Sequence, residues 1–542
     1  MTEDTGAPTS SSAKRPCDED AVQGSPKRVR VDIQSTVDVN TLNPSSDVLQ
    51  GDKKHPKRRD AYPKSRHGKE KDKKNLGRRR RNRPEVNETR AETDPQDLSE
   101  KSPRLPKRQS AILLGFCGTG CAGMQIQPNA RTIEGVLFDA LVRVGAVSSD
   151  NADDPTKVSL GRAARTDAGV HAAGNLVSLK LITQIPGVPD VVKAVNELLP
   201  PEIRVWGIVR VQNSFNARTS CDSRRYTYFF PSYLLIPPKP GSGLYETLQR
   251  QAVSSGSSPT ATVCPPPDTV HPFWTDSSPV SSKDDDLQRK RRWRAGTEDI
   301  QKLREIAQKF EGTRNFYNFT VGREFSDRST QRHMKKIEVG FLLRGLQGLT
   351  TRQIADPVVY GSTEWISVMF HGQSFMLHQR KMVSALVLCC RTCTPPQVIE
   401  ELYGPRQVFI PKVPALGLLL EYPIFESYNR KIESVNENLS QDDPEFRPPI
   451  DFEIHREAID NLKQTHIYDR MRETEDHRAV FDAWVRTVDA YSGDDLLYLN
   501  PRGIIPSAAD FSATSKTEVD EQEDEEEQDA VMDKAELVDM EG

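Results

Sequence analysis

The chain has 542 residues, 36% of them hydrophobic and 28% charged, with a formal net charge of −4. That length accommodates two or three ordinary domains, and with no apolar run as long as a bilayer or a signal core, neither a membrane-spanning helix nor a secretory leader is expected. Eight cysteines scattered along the chain do not suggest a secreted disulfide framework, so a reducing compartment is expected.

The near-neutral charge hides two unlike ends. Residues 1–108 are dominated by Lys, Arg, Ser and Pro and are expected to form a disordered basic tail. Within them Lys14-Arg15 and Lys27-Arg28-Val29-Arg30 read as a bipartite nuclear address, a solvated tail being the alternative. Residues 491–542, dominated by Glu and Asp over 518–529, are expected to be a disordered acidic tail.

From Gln109 onward the pattern is that of a folded protein. Ala111-Ile112-Leu113-Leu114-Gly115-Phe116 is an unbroken apolar run, as in a buried strand. Ile133, Val136, Leu137, Ala140, Leu141 and Val144 recur at helical spacing behind Thr132, a ready N-cap. Between them Gly118-Thr119-Gly120-Cys121-Ala122-Gly123 matches the dinucleotide-binding pattern, with Glu134 or Asp139 as the ribose acid. A true pyrophosphate site needs the helix to start inside the glycine run, however, and residues 124–129 intervene. The pattern therefore argues against a nucleotide-cofactor oxidoreductase.

A helix near 190–199, a strand near 203–211 and an aromatic-rich strand at 224–230 complete a first module, 109–235. Residues 236–294 are rich in Pro, Ser, Gly and Asp and are expected to be a disordered insertion. They end in Arg289-Lys290-Arg291-Arg292, either a contact for RNA phosphates or a solvated loop end. A second module, 295–430, opens with a helix bearing Ile300, Leu303, Ile306, Ala307 and Phe310, stopped by Gly312. Strands at 336–343 and 364–370, helices at 374–390 and 395–403, and a strand at 418–422 follow. Ile454, Ala458, Leu462, Val480, Phe481, Trp484 and Val485 stand among many charges and predict a helical extension over 451–490, packed on the body or lining an RNA path. The fold class is thus α+β: two α/β sheet modules joined into one catalytic body, the active-site cleft between them, plus disordered termini and the extension.

The most informative run is residues 161–172, Gly-Arg-Ala-Ala-Arg-Thr-Asp-Ala-Gly-Val-His-Ala. It sets the Asp167 carboxylate beside Arg165 on a small-residue turn between strand-like sequences, with Ala168-Gly169 leaving room for a ligand. A carboxylate beside a fixed cation stays ionised at neutral pH and can act as a nucleophile; a turn-stapling ion pair is the alternative.

Residues 164–171 resemble the catalytic motif of TruA-type tRNA pseudouridine synthases. Further resemblance lies in Phe215-Asn216-Ala217-Arg218 with Arg224-Arg225-Tyr226-Thr227-Tyr228, in residues 310–320, in Gly372-Gln373-Ser374-Phe375-Met376-Leu377-His378-Gln379-Arg380-Lys381-Met382, and in residues 415–423. These blocks keep the family's order over residues 109–425, and the Asn-Phe-x-Asn-Phe-Thr block with its terminal extensions points to the eukaryotic nuclear branch. The resemblance implies that Asp167 is the nucleophile, that Tyr226 is the active-site tyrosine, and that Arg165 and Arg380 keep Asp167 ionised and hold RNA. It also implies a substrate-binding set of Arg165, Thr166, Arg225, Tyr226, Arg380 and Leu420. tRNA is the implied partner, other small nuclear or messenger RNAs are further candidates, and no membrane partner is implied. A monomer in the nucleus is expected.

Making pseudouridine breaks the N1–C1′ bond and forms a C5–C1′ bond, so no redox change, metal or cofactor is required, and the base must leave its stack. Asp167 would attack C1′ or C6, or assist deprotonation at C2′. His171 and His378 are expected in structural or RNA-contacting roles. Cys389, Cys390 and Cys393 with His371 or His378 read as buried free thiols, a structural zinc being the alternative. Two departures from the family stand out. Cys121 occupies the usual place of a Tyr, and Gln379 abuts Arg380 where the family has one more apolar residue. Losing a helical residue rotates the upstream segment by about 100°. Either the helix starts later, or the pocket is altered and the chain is a catalytically weak RNA-binding or folding factor.

Overall fold

The computed structural model describes residues 105–254, 271–275, 281–341 and 358–507. Lys14-Arg15, residues 27–30 and the acidic run 518–529 lie outside them.

The first half supplies β1 (Lys107–Phe116), α1 (Ile133–Val144), β2 (Gly161–Arg162), β3 (His171–Ile182), α2 (Val191–Leu198), β4 (Ile203–Arg210) and β5 (Ser223–Pro231). Thr132 caps α1 by accepting from the Gly135 amide, Asp190 caps α2 through Lys193, and Gly145 ends α1 at φ 88°. The insertion and second half add α3 (Gly243–Ser254), α4 (Pro272–Thr275), α5 (Lys283–Arg292), α6 (Thr297–Gln308), β6 (Gly312–Asn315), β7 (Gln331–Phe341), β8 (Val358–Tyr360), β9 (Thr363–Gly372), α7 (Lys381–Arg391), α8 (Val398–Glu401) and β10 (Leu418–Ile424). The chain continues through α9 (Glu426–Asn436), α10 (Arg456–Leu462), a π-helical turn Lys463–Tyr468, α11 (Asp469–Arg478) and α12 (Val480–Ala490).

One mixed sheet runs β4-β1-β3-β10-β5-β9-β7-β6, with β2 on β3 and β8 on β9. Its β10–β3 pair is parallel and the others are antiparallel. The apolar run in β1 is unbroken because both faces are covered. Ile112, Leu114 and Phe116 pack with α1 and α2, whereas Ala111 and Leu113 pack with Phe425, Tyr428 and Ile432 around α9. A third cluster joins α6 and α7 to β5, β7 and β9, and takes in Met471, Phe481, Trp484 and Val485 of the extension.

The α+β body is present, its two halves fused through β10. The partition at residue 235 differs from the pairing, because β5 bonds to β9 and β10 of the second half. The expected disordered insertion 236–294 instead contributes three helices among its described residues, with Leu244 and Trp274 buried. Its basic cluster is not a solvated end: Lys290 is buried and 2.8 Å from Asp482 of α12, and Arg291 donates to the Glu475 and Asp476 carbonyls. Nor does the acidic tail begin at 491, since Leu496, Leu497, Tyr498, Leu499 and Asn500 are buried. The composition of these segments masked the few apolar residues that anchor them. The helix expected over 395–403 is regular only at Val398–Glu401.

Candidate active site

Parallel pairing of β3 and β10 explains where the cleft lies. Leu419 pairs with His171 and Leu420 with Ala172, so both strands begin at the same end of the sheet. The loop before β3, carrying Asp167, therefore meets the segment before β10, carrying Lys412 and Val413. Each backbone bond of the Asp167 loop has a reason. Asn175 Nδ2 donates to the Ala164 carbonyl at 2.9 Å, Met124 N to Thr166 O at 3.0 Å, and Val170 N to Asp167 O at 3.2 Å. Gly169 turns the chain at φ 74°.

The glycine run after β1 supports this loop and opens no helix. A Cβ at Gly118 would stand 2.0 Å from Val170 O, and one at Gly123 2.7 Å from Thr166 O, so two backbones pass too closely for side chains. Cys121 is buried, and its carbonyl accepts from Gly169 N at 3.3 Å. His171 is buried, and burial pushes its pKa down to about 4. The resulting neutral ring accepts from the Gly118 amide through Nδ1 at 3.2 Å.

Asp167 lies on a cleft of about 840 Å³. Arg380 Nη1 is 3.2 Å and His378 Nδ1 3.5 Å from Asp167 Oδ2. Burial alone would raise the Asp167 pKa, but the hydrogen bond and charge of His378, then the charges of Arg380 and Lys412, outweigh it and hold the carboxyl at about 2. The acid is thus ionised in a mostly apolar cleft.

Arg380 reaches Asp167 despite the shortened motif. Residues 376–383 wind through three-residue turns, with Gln379 N bonding Met376 O, Lys381 N bonding His378 O and Met382 N bonding Gln379 O. His378 adopts φ 55°, and α7 begins only at Lys381 rather than at 374. The later helix start leaves Arg380 ahead of α7, facing Asp167. Gln379 steadies the turn by accepting from Met376 N at 2.7 Å, and Arg380 Nε donates to the Val413 carbonyl at 3.0 Å.

Tyr226 lies on β5 with its ring 4.8 Å from Phe375 at 71°, an edge-to-face pair on the cleft wall. Burial raises its hydroxyl pKa, so it remains protonated. Thr166 lines the same cleft, and its buried Oγ1 has no hydrogen-bond partner among the described residues. Arg165 also lines the cleft. Burial raises the pKa of Glu134, and the charges of Arg162 and Arg165 offset part of that rise, while His378, Arg380 and Lys412 act on Asp167.

Two expected substrate contacts lie elsewhere. Strand alternation sends Arg225 to the opposite face from Tyr226, where it donates to Tyr422 Oη at 2.9 Å. Arg224 lines the cleft instead, held by the Ala163 and Gln373 carbonyls. Leu420 is fully buried in the core beneath the first module, and Leu418, two residues earlier, lines the cleft. Residue types alone did not reveal His378, Lys412 or Arg224 as site residues. A usable signal existed for two of them: Lys412 is the only charge in residues 408–420, and Arg224 shares the parity of Tyr226.

Among the described residues no three His, Cys, Asp or Glu side chains gather to hold a metal. Cys389 is fully buried, and burial raises its thiol pKa. Beyond Arg380 a second, larger groove of about 2050 Å³ runs between Ala168-Gly169 and the α11–α12 face, past Arg470, His477, Arg478 and Trp484. The extension both packs on the body and walls a groove.

A family model described as tRNA pseudouridine synthase matches residues 306–426. The chain is 38% identical over 426 residues to tRNA pseudouridine synthase 1 of Eremothecium gossypii, covering 72% of this chain and 75% of that protein. It is 34% identical over 499 residues to tRNA pseudouridine synthase 1 of Schizosaccharomyces pombe, covering 76% and 88%. To the tRNA pseudouridine(27/28) synthase of Saccharomyces cerevisiae it is 36% identical over 403 residues, covering 70% and 98%.

Proposed function

Since the chain belongs to the tRNA pseudouridine synthase family, we propose that Asp167 is the nucleophile with which it isomerises uridine in tRNA to pseudouridine. The observation that carries the assignment is the ionised Asp167, 3.2 Å from Arg380 in a mostly apolar cleft. A flipped uridine enters that cleft and stacks against Tyr226, with Phe375, Met376 and Leu418 excluding water from the reacting carbons. The N1–C1′ bond breaks, the base turns, C5 bonds to C1′, and the proton lost from C5 is balanced by one gained at N1. Attack at C1′, attack at C6 and deprotonation at C2′ all need a charged carboxylate, which His378, Arg380 and Lys412 maintain. Tyr226, protonated throughout the physiological range, is the group placed to pass a proton to or from the base. The reaction is redox-neutral and needs no cofactor.

Arg165 holds the strand on which the base is flipped, and the Thr166 hydroxyl, without a partner among the described residues, takes a base-edge or ribose hydrogen bond. Small nuclear and messenger RNAs are further substrates on the same chemistry, and the enzyme works as a nuclear monomer addressed by Lys14-Arg15 and residues 27–30. The test is to incubate the protein with an unmodified tRNA transcript and map pseudouridine. Product at discrete uridines is expected, and tight binding without product would overturn the assignment.

A further inference from the structure

A separate concavity of about 540 Å³ lies on the other side of the catalytic loop, lined by Arg162, Arg165, Asn216 and Arg218 with residues 160, 161 and 163. Arg165 belongs to both cavities, so backbone 162–167 is the wall between them. Among the described residues no acid lines this second cavity. Glu134 is fully buried and takes the Nε edge of Arg162.

That pairing orients the guanidinium. The terminal amino groups of Arg162 take no hydrogen-bond partner among the described residues, although the side chain is only 18% exposed. Asn216 shapes the opposite rim, its Oδ1 accepting from the Arg218 and Thr219 amides at 3.0 and 3.2 Å. Ala217 N in turn donates to Ser178 Oγ at 3.0 Å, anchoring the rim to β3. Three guanidinium groups line one concavity, and the amino edge that Arg162 turns away from Glu134 is suited to a phosphate, which arginine can meet with two parallel hydrogen bonds.

We propose that this cavity holds an RNA backbone phosphate adjoining the flipped uridine, Arg162 and Arg218 being its direct contacts. The inference rests on the reading of tRNA as substrate. When the base occupies the catalytic cleft, its sugar lies at the mouth beside Arg165, and the next phosphate along the strand meets the far side of the same loop. Gripping that phosphate helps keep the base out of its stack, since phosphate contacts fix register without reading sequence.

The test uses the full chain with Arg218→Ala and Arg162→Lys, the latter keeping a cation against buried Glu134. Affinity for unmodified tRNA is measured across KCl concentrations, together with single-turnover pseudouridine formation and the thermal midpoint. Arg218→Ala should bind about tenfold more weakly, with the salt dependence of log Kd reduced by about one, at an unchanged melting temperature. A single neutral methylphosphonate, scanned around the target uridine, should weaken wild-type binding about tenfold at one position and leave Arg218→Ala indifferent there. Wild-type affinity, salt slope and methylphosphonate response in both variants, while wild type still makes product, would overturn the subsite alone. Absence of product from wild type would overturn the isomerase reading instead, whatever the variants bind.

Discussion

Asp167 keeps its charge because a histidine, an arginine and a lysine from two later segments converge on a carboxylate that burial alone would neutralise. Asp167→Asn removes that charge and is expected to lower the single-turnover rate more than about a thousandfold, with tRNA affinity within a few-fold of wild type. A variant that still forms product would remove Asp167 from the nucleophile's role. The depressed pKa also fixes the direction of the pH response. The ionised form contributes stability above about pH 4, the ordinary carboxylate value, and that contribution is lost as pH falls through about 2. Wild-type single-turnover rates should therefore show no acid limb from Asp167 between pH 4 and 7. His378→Gln deletes the largest lowering influence, so the limb should move up by about one unit, seen as a rate that begins to fall below about pH 4. An unchanged profile would mean that Arg380 and Lys412 suffice.

At the scale of elements, buried ion pairs fasten segments whose composition looks unstructured. Lys290 on α5 meets Asp482 on α12, where Arg486 also binds, and Lys463 of the π-helical turn meets Glu421 of β10 at 2.8 Å. Glu475, whose pKa burial pushes up to about 7, accepts from Tyr233 Oη and from Phe481 N at the start of α12. These contacts hold the wall of the larger groove against the body. Lys290→Ala leaves Asp482 buried with Arg486 alone and should cost about 3 kcal/mol in urea unfolding, with the RNA-binding salt slope unchanged. A loss below about 0.5 kcal/mol would show that the insertion is only loosely docked. Such docking was not legible from local pattern, because Lys290 sits in a run of four basic residues that resembles any solvated cluster. Its partner lies 192 positions away.

Across the described residues one sheet carries both halves, and the parallel junction between β3 and β10 decides which loops meet. The described body begins at residue 105, and the proposed role of the basic segment before it is addressing rather than chemistry. Removing residues 1–104 should leave turnover on tRNA transcripts within about twofold. It should also abolish nuclear accumulation of a fluorescent fusion, and import that persists after the cut would refute the address.

Local sequence was sufficient for several features because their causes are local. The Thr132 cap, the doubly covered run in β1, the strand parity of Tyr226 and the small-residue turn after Asp167 depend on neighbours within a few residues. The 164–171 motif likewise singles out Asp167, the acid that lines the cleft. Arg380 was legible from its motif, whereas tertiary structure alone added Lys412 and His378, which reach the acid through strand pairing and a left-handed turn more than two hundred residues downstream. It also decided that Arg224 rather than Arg225 faces the cleft, and that an insertion and part of a tail are packed structure. The physical reason is the same in each case. Charge pairing and burial are set by distance in space, and a chain's composition records only which partners are available.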